Sequence, residues 1–171
     1  MPVTTGTTYY NETIIKGLIR KHNRGGRVFY VCPQISTIKS INDNLKKLVL
    51  EIKTNTAHGQ PPSSQLDTIM NDFFDGKFTI LLTASIIECE LDISFANTII
   101  IHNADIFGLA QLYQLKGRVG RSSIKGFAYF ILSEKATNTS ATELEIIQSI
   151  DSINSGLLYP YMIWISEGLA I

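Results

Sequence analysis

The sequence predicts an open α/β domain whose sheet is mainly parallel and flanked by helices. Three observations predict it. Short apolar runs bounded by Gly, Pro or polar residues recur along the chain, as buried parallel strands require. Segments with apolar residues at helical spacing alternate with them, which is the pattern of strand–helix–strand crossovers. The 171 residues are 44% apolar and 18% charged, enough to bury the core of one globular domain.

Taken in order, residues 1–10 are Thr-rich without apolar periodicity and are expected to form an extended arm. Asn11 can cap a helix on which Ile14, Ile15, Leu18 and Ile19 share a face, and Gly25-Gly26 stops it. Arg27–Cys32 reads as the first buried strand. Ser36 or Thr37 then opens a helix whose apolar positions are Ile38, Ile41, Leu45 and Leu48. Glu51–Ala57 is the next strand, followed by the loop 58–62. Pro62 suits a helix start, and Leu66, Ile69, Met70, Phe73 and Phe74 make a broad apolar stripe that Asp75-Gly76 ends. Phe78–Leu82, Thr98–Ile101 and Phe127–Leu132 complete the strands. Ser140-Ala-Thr-Glu143 has the spacing of a capping box before a helix containing Leu144, Ile147 and Ile150. In a parallel sheet, functional residues collect beyond the carboxyl ends of strands, which singles out the loops 33–37, 58–62, 83–93 and 102–108.

The formal charge is zero but unevenly spread. Residues 1–60 carry nine Lys/Arg against three Asp/Glu, residues 61–115 one against seven, and residues 116–125 four against none. A neutral total therefore does not exclude a nucleic-acid partner, because local basic surface governs that binding. Cys32 and Cys89 lack metal-ligand spacing and read as reduced thiols. No signal pattern and no apolar run of ~20 residues is present. The expected setting is cytoplasmic, with no membrane partner.

Two segments carry chemistry. The first is Gln111-Leu-Tyr-Gln-Leu-Lys-Gly-Arg-Val-Gly-Arg121, with the pattern Q-x-x-G-R-x-G-R at Gln114, Gly117, Arg118, Gly120 and Arg121. Two arginines framed by glycines can present planar, permanently charged guanidinium groups to phosphate. On bare chemistry the same residues also suit a basic helix end pairing with carbonyls or surface acids. The second segment is Thr83-Ala-Ser-Ile-Ile-Glu-Cys-Glu-Leu-Asp-Ile93. The hydroxyls of Thr83 and Ser85 can contact a DNA phosphate or simply cap a strand end.

Together the two segments resemble motifs V and VI of superfamily 2 helicases, and the wording around them is most similar to the transcription-repair coupling factor family. The resemblance covers residues 12–156 and implies a RecA-like second helicase lobe at 11–156, with the apolar tail 157–171 unmatched. It implies that Arg118 and Arg121 are arginine fingers facing ATP held mainly by another lobe. Gln114, Gly117, Glu88 and Asp92 would support that nucleotide site. By the same resemblance Pro33, Gln34, His58, Gly59, Thr83 and Ser85 would line a double-stranded DNA groove. Glu90 stands where these helicases usually carry glycine, which adds negative charge near the nucleotide phosphates.

A phosphate-cradling G-x-x-x-x-G-K-[ST] does not occur, since Gly76-Lys77 lacks the first glycine and the final hydroxyl. No Asp-Glu pair follows an apolar strand to hold Mg2+. The expected partner is therefore a P-loop-bearing first lobe, which would bind ATP and Mg2+, with no metal site in this chain. Through other regions the resemblance implies RNA polymerase and excision-repair proteins as partners. Two further readings stay open at this point: a non-enzymatic remnant, and an ATP-independent DNA-binding module.

Overall fold

The computed structural model describes residues 3–23, 25–58, 61–84, 93, 95–119 and 125–136, together with 138, 142, 144 and 145. The described strands form one six-stranded sheet in which every neighbouring pair is parallel. In chain order they are β1 (Thr4–Tyr9), β2 (Val28–Cys32), β3 (Thr54–Ala57), β4 (Ile80–Ala84), β5 (Thr98–Ile101) and β6 (Phe127–Leu132). The helices are α1 (Glu12–His22), α2 (Ile35–Leu48), α3 (Ser63–Phe74) and α4 (Leu109–Lys116). Across the sheet the strand order is β1-β6-β5-β2-β4-β3. The expected α/β class with a parallel sheet is the observed one.

Side chains alternate across the strands, so the four inner strands feed two cores. Phe29 and Val31 of β2, Ile99 and Ile101 of β5 and Phe130 of β6 pack with Phe73 of α3 and with Leu112 and Leu115 of α4. Tyr30, Ile100, Tyr129 and Ile131 face the other way, onto Ile15, Leu18 and Ile19 of α1 and Ile38, Ile41 and Leu45 of α2. This two-sided burial explains why β2 and β5 read as continuous apolar runs rather than alternating ones.

Local chemistry sets the helix ends. The Asn11 side chain accepts from the backbone N–H of Thr13 at 2.9 Å and of Ile14 at 3.3 Å, as its position in the sequence predicts. We expect Asn11→Ala to cost about 1 kcal/mol, read as a lower urea midpoint with an unchanged slope. An unmoved midpoint would show that the cap contributes nothing. At the end of α3, Gly76 takes φ +80°. Its N–H donates to the Phe73 carbonyl at 3.2 Å, and the Lys77 N–H to that of Asp72 at 3.0 Å. This is the Schellman closure that glycine permits. A Cβ at Gly76 would also strike the Arg27 guanidinium, which donates through Nε to the Phe73 carbonyl at 2.8 Å.

The structure moves several expected boundaries. The strand expected at Phe78–Leu82 runs two residues later, as Ile80–Ala84, because Thr83 pairs with Val31 and Ala57, and Ala84 with Cys32. The strand expected from Glu51 begins only at Thr54, after a turn in which the Ile52 N–H donates to the Val49 carbonyl. Helix α2 starts at Ile35, a residue before the expected opening. Phe74 is 64% exposed and does not join the buried stripe of α3. Within the expected arm, Thr4–Tyr9 pairs along the full length of β6 as an edge strand. Of the Ser140–Glu143 box only Thr142 is described; its other residues, the helix after it beyond Glu145, Cys89, and the tail 157–171 lie outside the described residues.

Candidate functional site

Because all six strands are parallel, their carboxyl ends share one edge. There β2, β4 and β3 are neighbours, which sets Pro33 and Gln34, then Thr83, then His58 in a row along it. Gln34 is exposed and occupies the N-cap position of α2 without a side-chain cap. Its carbonyl accepts from Thr37 Oγ1 at 2.8 Å and its Oε1 from Ser36 Oγ at 3.4 Å. Pro33 is half-buried, and His58 is exposed. Together with Asn55, Thr56, Gln65 and Thr68, His58 lines a cleft of about 710 Å3 between β3 and the start of α3.

Thr83 departs from expectation. It is not the first residue of a loop but the fourth of β4, fully enclosed, with its hydroxyl donating to the Ala84 carbonyl at 3.4 Å. A direct phosphate contact through that hydroxyl would need the sheet to open. Hydropathy patterning missed this because threonine fits a pleated, buried strand as well as it caps one. Gly59, Ser85, Glu88, Glu90, Asp92 and Arg121 lie outside the described residues.

Gln114, Gly117 and Arg118 come from a different part of the topology. After β5 the chain makes a short 3-10 turn at Ala104–Ile106 and enters α4. This crossover carries it back to the amino end of β6, where Phe127 pairs with Thr98. Leu112 and Leu115 bury one side of α4, leaving Gln114 and Tyr113 exposed on the other. Gly117 closes the helix, its N–H donating to the Tyr113 carbonyl at 3.1 Å, and the Arg118 N–H donates to that of Leu115 at 3.0 Å. Arg118 is thus placed by a helix end rather than by a wandering loop. The Lys116 ammonium lies 4.9 Å over the Tyr113 ring. Gly117 has φ −69°, and a Cβ there would make only ordinary contacts. Nothing in its own backbone demands glycine.

A second group was not singled out residue by residue in the sequence, although it sits in the loop 102–108. His102, directly after β5, shares a hydrogen bond of 2.9 Å between Nδ1 and the Tyr30 hydroxyl. Asp105 accepts from both the Ser133 N–H at 2.8 Å and the Ser133 hydroxyl at 2.7 Å, tying the start of the α4 crossover to the end of β6. At the opposite edge, His22 Nε2 and the Tyr129 hydroxyl share a bond of 2.8 Å. The detectable signal was a histidine abutting an apolar run; its tyrosine partner 72 residues away was not readable.

Burial lowers both histidines from 6.5 to about 4, assisted at His22 by the Lys21 charge and opposed at His102 by Asp105. The unfolded chain takes up those protons near 6.5, so between roughly pH 6.5 and 4 it binds more protons than the folded one. Stability is accordingly lost as pH falls through that window, by up to ~1.4 kcal/mol per pH unit for each histidine. We expect the thermal midpoint to be level from pH 7 to 8 and to drop below 6.5. A His22→Gln/His102→Gln double variant should flatten that slope, and an unchanged slope would refute the assignment.

A parallel α/β lobe whose α4 ends on Gly117-Arg118, the start of a G-R-x-G-R sequence, defines the class: a RecA-like C-terminal lobe of a superfamily 2 helicase. Residues 10–123 match the helicase conserved C-terminal domain, and the chain belongs to that family. Within it, the chain is similar to transcription-repair coupling factors. It is 45% identical over 159 residues to that of Rickettsia prowazekii (strain Madrid E), covering 91% of this chain and 14% of the relative. The Myxococcus xanthus factor is 41% identical over 150 residues, covering 86% and 12%. The chain thus spans a small part of these relatives. Among solved structures, RecG bound to a three-way DNA junction is similar with TM-score 0.72 and 28% identity, over 88% of this chain and 22% of that one. The C-terminal domain of S. cerevisiae Dbp5 in complex with Gle1 and IP6 shares the fold, with TM-score 0.65 and 18% identity over 88% and 85%. Among the described residues no helix is long and apolar enough to cross a membrane, and no cluster of three His, Cys, Asp or Glu could hold a metal.

Proposed function

We propose that this chain is the second motor lobe of an ATP-dependent double-stranded DNA translocase of the transcription-repair coupling kind. The observation that supports it most is the G-R-x-G-R segment emerging from α4, within the region that matches the helicase C-terminal domain. In this reading a P-loop-bearing first lobe holds ATP and Mg2+. Arg118 and Arg121 reach the phosphates from the second lobe, with Gln114, Gly117, Glu88 and Asp92 around the nucleotide. Charge developing on the transferred phosphoryl group is stabilised by the guanidinium groups, which act only when the lobes close. Closure and opening move Pro33, Gln34, His58, Gly59 and Ser85 along the DNA backbone. Thr83 shapes that edge as a strand residue. RNA polymerase and excision-repair proteins would engage other regions of such a machine, and the setting would be cytoplasmic.

The test is DNA-stimulated ATP hydrolysis by a matching first lobe, with and without this chain. A rise on adding the chain supports a half-motor. No rise, with the chain folded and the lobes shown to associate, overturns it.

Glu90, which by resemblance replaces a glycine near the nucleotide phosphates, favours a chain without ATP handling, a non-enzymatic remnant; the other reading without ATP is a DNA-binding module. That reading requires salt-dependent binding of duplex DNA by the chain without nucleotide. Salt-independent or absent binding excludes it and leaves a non-enzymatic remnant.

A further inference from the structure

Open parallel sheets bind ligands where two adjacent strands send their connections in opposite directions across opposite faces. In this lobe that place lies between β5 and β2. From β5 the chain passes to β6 by α4, on the face that also carries α3. From β2 it leaves by α2 on the other face, toward the β3 edge. A cleft of about 690 Å3 opens there, inside the roughly 300–1,000 Å3 range of small-molecule sites. None of the residues assigned above to ATP or DNA lines it.

Its lining has a definite chemistry. Tyr30 and His102 are hydrogen-bonded to each other, and the Tyr10 ring meets that of His102 edge-on at 5.4 Å between centroids. The partly exposed rings of Tyr10 and His102 thus form one wall, with the fully buried Tyr30 holding His102 from behind. Burial keeps His102 neutral at physiological pH, so this wall suits an uncharged planar group. Asn44 of α2 and Asn103 after β5 add carboxamides that both donate and accept, the pairing amides make with base edges. Asp105 is already engaged twice by Ser133. Lys135 and Glu134, both exposed, supply one cation beside one anion. Such a mouth suits a single phosphate better than a triphosphate.

We propose that this cleft binds one nucleotide unit, a base with a single phosphate, supplied either as a free mononucleotide or as an unstacked residue of a single strand. The base lies against the aromatic wall and is read by Asn44 and Asn103, with its phosphate at Lys135. The proposal stands on the cleft and not on the motor reading, so a failure of ATP hydrolysis leaves it intact.

The test follows amide chemical shifts of the full chain titrated with AMP, adenosine, inorganic phosphate and a short single-stranded oligonucleotide, each to millimolar concentration. AMP should shift residues 44, 102 and 103. Asn44→Ala should weaken AMP and adenosine alike by about fivefold to tenfold, and Lys135→Ala should weaken AMP but spare adenosine. Both positions are exposed, so the variants keep the fold. Competition by the oligonucleotide assigns the site to a strand, and its absence to a free nucleotide. Three results overturn the proposal: no shift at those residues, the same shifts with phosphate alone, or binding that survives both variants and is lost in Arg118→Ala.

Discussion

Arg118→Ala and Arg121→Ala should each lower DNA-stimulated ATP turnover of a reconstituted pair of lobes by about 10³–10⁵-fold, the range measured for arginine fingers. The loss should fall on kcat, because a guanidinium that meets charge only as it develops stabilises the transition state more than bound ATP. Arg118→Lys keeps the charge but loses the planar fork that grips two phosphate oxygens, so it should rescue only a small part of the rate. Duplex binding by the chain should be unchanged, since in the proposed motor DNA is held at the other edge of the sheet. Helix α4 bears directly on this result. Arg118 follows immediately on a helix end anchored by buried Leu112 and Leu115, and its own N–H closes onto Leu115. Little conformational freedom remains to be lost when the lobes close. Turnover within twofold of wild type in both alanine variants would reduce the arginines to a basic helix end.

Phe73→Ala should destabilise the lobe by about 3–5 kcal/mol in urea denaturation, enough to threaten folding of a domain of ordinary marginal stability. Phe73 is fully buried, stacks on Phe78 at 5.2 Å and meets Phe95 edge-on at 5.4 Å. Its carbonyl also accepts from Arg27 Nε. Removing the ring empties the joint between α3 and the sheet, and flanking aromatic rings cannot collapse into that space without leaving their rotamers. Its neighbour is the control. Phe74 is mostly exposed and keeps an edge-on contact with Phe95 at 5.3 Å, so Phe74→Ala should cost no more than about 1.5 kcal/mol. Equal losses at the two positions would mean that the α3 face is misassigned.

The contrast between Phe73 and Phe74 marks what local pattern can and cannot carry. Periodicity placed both on one apolar stripe, but a 12-residue helix lying on a sheet buries only the arc that the strands beneath can cover. Likewise the Q-x-x-G-R-x-G-R wording named Gln114, Gly117 and Arg118 before any geometry was known. It said nothing of the crossover that carries them away from the edge where Gln34 and His58 stand.

The sequence by itself determined the α/β alternation, the Asn11 cap and buried face of α1, the limits of β5 and β6, and the motif that assigns the family. Each of these rests on chemistry within a few residues or on a run apolar enough to be buried on both faces. Only the tertiary structure decided the rest. Thr4–Tyr9 is a strand because β6 offers it a complete row of hydrogen-bonding partners, which its own threonines do not announce. Thr83 is core because Val31 and Ala57 flank it. His22 with Tyr129, 107 residues apart, and His102 with Tyr30, 72 apart, stay neutral because folding removes water from both rings and supplies each a phenolic partner. Burial and pairing across such separations are properties of the assembled sheet, and no local spacing encodes them.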